Sequence, residues 1–531
     1  MPGGLLQLSS YGSSSTYLHA SPEITFWKQV WRRSTPFATE AIEQPFNGGQ
    51  PTFGAKVTAP ITKGADMAYC AWLQITLPDL ADYATTTITA TSSQPKITRA
   101  YIDGDQIRLR LVKPTALPSS GSWGWFKVKI FGTSTYVPTS DTDYDTLVEV
   151  GTGAYTDFSI SKNDWPDPWT SVLSIVAQCV DPNYANPSSE SMERTITNIK
   201  WCNNIGQALL DSVEWEIGGT RIDRIPNPEF FDVWSELTEK AEKWQGYNSM
   251  VGKFEDYDIW DETKSIRGER TYFVPLLFSF CTSPSQSIPI VSMQFHEARL
   301  NINFRDAIDV VKANVPVTQL IGQDGQPIQF TSCQLYVDMV YLDTEERRRM
   351  ASMEHEQLIN QIQYLGDFVI SPNDPALVKK IPLDGLQHPV KELVFVYQGW
   401  QRYQRDAVNG NDIFNYGTDS GEYAIQHVRL TLNGTERMPP RPGQYFHQVQ
   451  PYQHHTRIPS KHVMCYSFAL EPEMRNPSGS CNFSRLESAS LNVTMSPNID
   501  PNGGKVKVYA LSYNLLRYAQ GMAGLAFTSG G

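Results

Sequence analysis

The sequence predicts an all-β fold: a tandem double jelly roll with an inserted small β-sandwich domain and few short connector helices. Three observations carry this. Short alternating runs broken by Gly and Pro dominate the chain, while helical periodicity is scarce. A strand and turn, VEWEIGGTRIDR from Val213, is written again as VRLTLNGTERMP from Val428. Between about residues 84 and 198 the texture shifts toward Thr, Ser, Asp and Pro, and the earlier pattern resumes at Trp201.

Taken in order, residues 1–26 are rich in Gly, Ser and Tyr and read as an extended arm. Residues 27–350 form the first jelly roll, opening with FATEAIEQ and AYCAWLQITL. Residues 84–198 interrupt it as a separate sandwich. There, KITRAYIDGDQIRLRLV places an Asp103-Gly104 turn between alternating arms, a strong hairpin signal. WGWFKVKIFG, TLVEVG, TDFSI and SVLSIVAQCV follow at turn-like spacing. Two connector helices are expected, over 230–244 after a Pro-Asn-Pro turn and over 344–362. Residues 351–531 form the second jelly roll.

The echo extends beyond one hairpin. Phe230-Phe231 is matched by Tyr445-Phe446, FSFCTSP (278–284) by YSFALEP (466–472), and ARLNIN (298–303) by ASLNVT (489–494). VDMVYLD (337–343) is loosely matched by VYALSYN (508–514). The offsets shrink from 215 to 188, 191 and 171 residues, yet the order holds. Each half is therefore one antiparallel unit of the same topology, and eight short strands joined by Greek keys make a jelly roll.

Totals narrow the function classes. The 531 residues are 40% hydrophobic, 11% aromatic and 19% charged, enough apolar material for more than one core. The net charge of −12 argues against direct nucleic-acid binding, which draws its affinity from clustered cations. Arg347-Arg348-Arg349 follows Glu345-Glu346 and reads as local ion pairing on a short helix. Seven scattered cysteines (70, 179, 202, 281, 333, 465, 481) without a CxxC pair point to free thiols in a reducing compartment. The N-terminus lacks a secretory pattern and no apolar run is long enough to span a bilayer, so a protein folded in a cytosol is expected.

Catalytic and metal patterns are weak, and no catalytic, cofactor-binding or metal-ligating residue is assigned. His447, His454, His455 and His462 form the one histidine cluster. A cupin-type metal enzyme would need His-x-His and a following Glu, whereas adjacent histidines on a strand face opposite ways. Hydrogen-bonded structural histidines are the plainer reading. His296-Glu297 and His355-Glu356 lack the second His of a zinc-protease helix. Asp141, Asp143 and Asp145 read as a solvated acidic loop rather than a cation site. Asn433, Asn482 and Asn492 match the glycosylation triplet but lie in a turn and two strands.

GGLLQLSSYG, SPEITFWKQVWRRSTPFATEAIEQPF, IGQALLDSVEWEIGGTRIDR, YFVPLLFSF and LYVDMVYLDTEERRR, with HPVKELVFVYQ, QPYQHHTRIP and VKVYALSYNLLRYAQGMAGLAF, resemble the major capsid proteins of nucleocytoplasmic large DNA viruses. The resemblance is collinear and spans nearly the whole chain except 84–198. It implies a structural protein, not an enzyme, with no cofactor. Homotrimers of six jelly rolls would form pseudo-hexagonal capsomers that self-assemble, beside neighbouring capsomers, into the icosahedral shell of a large double-stranded DNA virus. It further implies a place in the virion capsid, with synthesis and assembly in the host cytoplasm. The arm would face inward near minor capsid proteins and an internal membrane, with no direct nucleic-acid contact.

The insert, between LQITL and SVEWEI, would occupy the outward loop between the fourth and fifth strands, open to host-surface or fibre contact. Trp27 and Trp31 are candidate anchors at subunit contacts, with ordinary core aromatics as the plainer reading. Two rivals remain: a cupin-like enzyme using the histidine cluster, and a carbohydrate-binding insert using Trp123, Trp125, Trp165 and Trp169.

Overall fold

Alternation along Met67–Leu77 sends Ala71, Leu73, Ile75 and Leu77 to one face, where all are buried, and Trp72, Gln74 and Thr76 to the other, where all are half-buried. That single strand states the design of the fold, a sheet with one core face and one open face. The computed structural model describes residues 3–10, 12–29, 31–80, 199–258, 263–313, 320, 326–371, 378–404, 411–418 and 421–528, together with the backbone of seven strands between 96 and 196.

Eight strands build the two main sheets of the first half: Phe37–Gln44, Lys56–Pro60, Met67–Leu77, Leu210–Ile217, Thr220–Ile225, Arg270–Pro275, Ala298–Phe304 and Ser332–Leu342. Counted in that order they form two antiparallel sheets, 1-8-3-6 and 2-7-4-5. The second half uses His355–Ile370, Val378–Pro382, Pro389–Gly399, Ile425–Leu432, Thr435–Glu436, Met464–Ser467, Ala489–Met495 and Gly504–Ala519. Its sheets again read 1-8-3-6 and 2-7-4-5. This is the Greek-key order of a jelly roll, present twice. The repeated turn is built alike, with Gly218 and Gly219 at φ 58° and 80° and Asn433 and Gly434 at 47° and 77°, the left-handed pair that a tight hairpin requires.

Register fixes which loops share an end. Phe37 pairs with Leu342 and Gln44 with Leu335, while Ser332 pairs with Thr76 and Arg270 with Leu77. The chain therefore enters the first half from the arm at one end of the sheet and leaves it after Leu77 at the opposite end. The strands within 96–196 pair only with one another among the described residues. They form a four-stranded and a three-stranded sheet, and Asp103 pairs with Gln106 at the expected hairpin. The segment is flanked by Met67–Leu77 and the three-residue strand Ile199–Trp201, which pairs with Val311–Ala313 apart from the two main sheets, so it falls between the third and fourth of the eight, where the fourth and fifth were expected. Asp141, Asp143, Trp123, Trp165 and Trp169 lie outside the described residues, as do the side chains of Asp145 and Trp125.

Three expectations about helices need correction. The run 344–362 is helical only over Thr344–Ser352, and His355–Ile370 is a strand. Pairing with Gly504–Ala519 along its length overrides the helix-like spacing of Leu358, Ile359 and Ile362. The run 230–244 is two helices, Pro228–Thr238 and Trp244–Val251. Pro228 opens the first, and Asn227 caps it by accepting from the Phe230 N–H at 3.2 Å. The arm is not wholly extended either, since Gly3–Ser9 and Ser13–His19 are short helices.

Candidate functional site

The best-built meeting of surfaces among the described residues lies between the two halves. In the second jelly roll, Val506, Val508 and Ala510 face its own core, while Tyr509 and Leu511, on the opposite face, join the core of the first half. The element that covers this outer face is the Pro228–Thr238 helix. Phe230 meets the Tyr509 ring edge-on at 5.3 Å, the Tyr509 hydroxyl donates to Asn227 at 2.7 Å, and the Lys391 ammonium lies 5.8 Å from the centre of the Trp234 ring.

The same helix brings acids into the junction. Asp232 and Glu236, one turn apart, have fully buried side chains. Lys253 Nζ donates to both, at 2.7 and 2.6 Å. From the second half, Lys461 donates to Asp232 at 2.8 Å, the Tyr416 hydroxyl donates to it at 3.1 Å, and the Ser460 N–H donates to Glu236 at 2.9 Å. Glu229 meets Lys507 at 2.5 Å. Burial alone would raise these carboxyls, but the facing ammoniums reverse it. Asp232 is held below its ordinary range by Lys253 and Lys461, Glu236 chiefly by Lys253, and Glu229 by Lys507. Each charge is matched across a chain distance of up to 278 residues, which fixes the relative placement of the halves.

Sequence reasoning missed this cluster. Its signal was present: two acids at i and i+4 on a helix whose Phe230, Phe231, Val233 and Leu237 are all buried. A second contact strip runs beside it. Asp223 accepts from the Ile362 N–H at 3.0 Å and from the Arg224 N–H at 2.9 Å. Burial raises the Asp223 carboxyl to about 7, despite those two donors.

The His447 and His462 rings meet edge-on at 5.6 Å, whereas His454 and His455 take separate structural partners. His447 pairs with the Tyr423 hydroxyl at 2.7 Å and the Pro459 carbonyl at 3.1 Å, and His454 with the Leu470 carbonyl at 2.9 Å. His455 sits between Glu392 at 2.9 Å and Glu473 at 3.0 Å. Burial opposes charging it, yet Glu392 and Glu473 lift its pKa to about 12. His454 and His455 are not on a strand as expected; they end the short Gln450–His454 helix, which Pro451 helps to start. Among the described residues no His, Cys, Asp and Glu group is arranged to hold a metal. Arg347 pairs with Asp66 at 2.8 Å rather than within its own helix. Asn433 is in the exposed turn, and Asn482 and Asn492 are in strands.

The other surfaces that stand out are uncovered. Phe26, Trp27 and Trp31 are 91%, 96% and 68% exposed, so the two tryptophans are not core aromatics of this chain. On the open face of the first half, Trp72 stacks on Tyr336 at 6.0 Å beside the exposed Phe273.

Comparison with known proteins follows this architecture. A family model described as large eukaryotic DNA virus major capsid protein matches residues 346–524. One described as major capsid protein N-terminus matches 25–113 and 172–343, breaking inside the segment read as an insert. The major capsid protein of Pyramimonas orientalis virus is 31% identical over 553 residues, with both chains covered in full. That of Phaeocystis pouchetii virus is 28% identical over 638 residues, again with full coverage of both. Among solved structures, the quasi-atomic model of the PBCV-1 virus capsid has a TM-score of 0.62 at 24% identity, covering 95% of this chain and 100% of that one. The Faustovirus major capsid protein has a TM-score of 0.62 at 11% identity, covering 97% and 96%. At these identities the structural likenesses bear on the fold, a double jelly roll.

Proposed function

The chain belongs to the major capsid proteins of large eukaryotic DNA viruses, and from that membership we propose that three copies associate into a pseudo-hexagonal capsomer that tiles an icosahedral shell. Its role is structural: it is a component of the virion capsid, not an enzyme. One observation carries the trimer. Two jelly rolls of identical strand order are locked together by a buried ionic junction, so each copy is a rigid pair of like units, and three pairs make six. A ring of this kind forms when one head-to-tail contact repeats and closes.

The domain reading follows from the same frame: an inner arm over 1–26, a first jelly roll over 27–350 interrupted by a sandwich at 84–198, and a second over 351–531. Arm and insert leave the first half at opposite ends of its sheet, which supports an arm on the inner side and an insert on the outer side. The exposed Phe26, Trp27 and Trp31 suit burial against minor capsid proteins near an internal membrane. The insert is the part available to host surface, fibres or neighbouring capsomers. Assembly takes place in the host cytoplasm, and an acidic chain leaves DNA to other components.

Light scattering on the purified chain, with negative-stain images of the same peak, tests the capsomer. The expected species is a hexagonal particle near 3 × 59.8 = 179.4 kDa. A clean monomer without ring-shaped particles refutes self-sufficient trimerisation. Deletion of 84–198 that left both shell architecture and host attachment unchanged would remove the outer role of the insert.

A further inference from the structure

The internal repeat supplies a template for the contact between copies. Within one chain, the helix after the fifth strand of the first half covers the open sheet face of the second half. Glu229, Phe230 and Trp234 make that contact through Lys507, Tyr509 and Lys391. The matching of Phe230-Phe231 with Tyr445-Phe446 carries these three positions, at the offset of 215, onto Gln444, Tyr445 and Val449. The second half is indeed helical there, over Tyr445–Val449 and Gln450–His454.

Corresponding inner positions behave alike: Phe231 and Phe446 are both fully buried. Corresponding outer positions do not. Phe230 and Leu237 are 1% and 0% exposed, whereas Gln444 is exposed, Tyr445 is half-buried, and Val449 and Tyr452 are 40% and 78% exposed. The second copy of the covering helix thus leaves Gln444, Val449 and Tyr452 uncovered among the described residues. Conversely, the first half has the open sheet face, where Trp72 and Tyr336 are half-buried and Phe273 is exposed opposite the core, with no helix of the described residues laid over them as Pro228–Thr238 is laid over the second half. Its counterpart in the second half, around Tyr509 and Leu511, is buried.

We propose that the helical segment 444–453 of one copy docks on the Trp72–Tyr336 face of the next copy, repeating between chains the contact that joins the halves within one. The proposal rests on the trimer reading and names its interface. Each copy carries a plug on its second half and a socket on its first, a heterologous contact that becomes a ring when it closes. An aromatic pair receiving an apolar helix face is the composition expected at the centre of such an interface.

The test is a double variant, Val449→Asp with Tyr452→Asp, both at exposed positions that the single chain does not need for its core. It is expected to elute as a monomer of 59.8 kDa, with far-UV circular dichroism unchanged, under conditions where the unsubstituted chain is a trimer. A second measurement pairs Tyr336→Cys with Val449→Cys. Disulfide-linked oligomers on a non-reducing gel are expected from the pair and from neither substitution alone. A double variant that remains trimeric, or a trimer in which the cysteine pair never links, overturns the docking and leaves the trimer standing. A monomeric unsubstituted chain overturns both.

Discussion

Asp232→Asn removes one unit of charge from the junction while keeping the shape of the side chain. In the native cluster two carboxylates, Asp232 and Glu236, face three cations, Lys253, Lys461 and Arg457. The substitution leaves three cations against one carboxylate, and Lys461 loses the only carboxylate it meets at ion-pair distance among the described residues. Stranding a buried charge in this way costs about 3–5 kcal/mol. Unfolding entropy of about 2.1 cal/mol/K per residue makes about 1 kcal/mol per degree for a chain of this size, so the melting temperature should fall by about 3–5 °C in scanning calorimetry at pH 7. A double variant, Asp232→Asn with Lys461→Met, removes the stranded ammonium as well. It should recover much of the loss, a coupling of about 1–3 kcal/mol. A single variant melting within a degree of the parent, or a double variant with simply additive losses, would show that the cluster does not hold the halves together.

Asp223→Asn tests the neighbouring strip through pH. The folded-state carboxyl holds its proton up to about pH 7, against 3.8 for its ordinary value. The folded chain therefore binds the extra proton in that window, and the stability contributed by this group falls as pH rises from 4 to 7. Asn imitates the protonated form and still accepts from Ile362. The variant should match the parent in melts at about pH 3, below the ordinary value, and exceed it at pH 8, by at most about 4 kcal/mol; a pH-independent difference contradicts the assignment. Gly504→Ala should be destabilising by about 1–3 kcal/mol in denaturant titrations, because the added methyl would meet the Gln398 carbonyl oxygen at 2.5 Å and the Tyr397 hydroxyl at 2.6 Å. An unchanged midpoint would mean that the two strands separate there without cost.

The fold was legible because its signals are local and repeated. Alternation, the Gly219 and Gly434 turns and the ordered echoes state a strand pattern twice, and a jelly roll is what such a pattern closes into. Legibility failed where a partner distant in sequence decides. His355–Ile370 carries apolar residues at helix-like spacing, and only its pairing with Gly504–Ala519 makes it a strand, with an irregularity between Tyr364 and Asp367 where Gly366 sits at φ 99°. Trp27 and Trp31 read more plainly as core aromatics than as contact anchors, and only their exposure of 96% and 68% reverses that. The acids of the junction were hidden differently. In a half-apolar helix a charged residue is ordinarily assigned to water, and nothing in FFDVWSELT says that Lys461 will arrive from far along the chain.

Duplication followed by ring closure also explains where the two halves differ. Positions facing the core of either jelly roll have equivalent work, and Val337 and Val508, matched in the repeat, are both fully buried. Positions on the open face do not. Tyr509 lies under Phe230 in every folded chain, so it can be large, buried and hydrogen-bonded to Asn227. Asp338, its match in the repeat, is half-buried on a face that the isolated chain must keep in water. Its carboxyl is raised by partial burial. A surface that must be soluble first and covered later tolerates polar residues and half-exposed aromatics, whereas one covered at folding does not. The departure of the two repeats from each other is therefore informative: it marks the faces at which a contact within the chain was exchanged for a contact between chains.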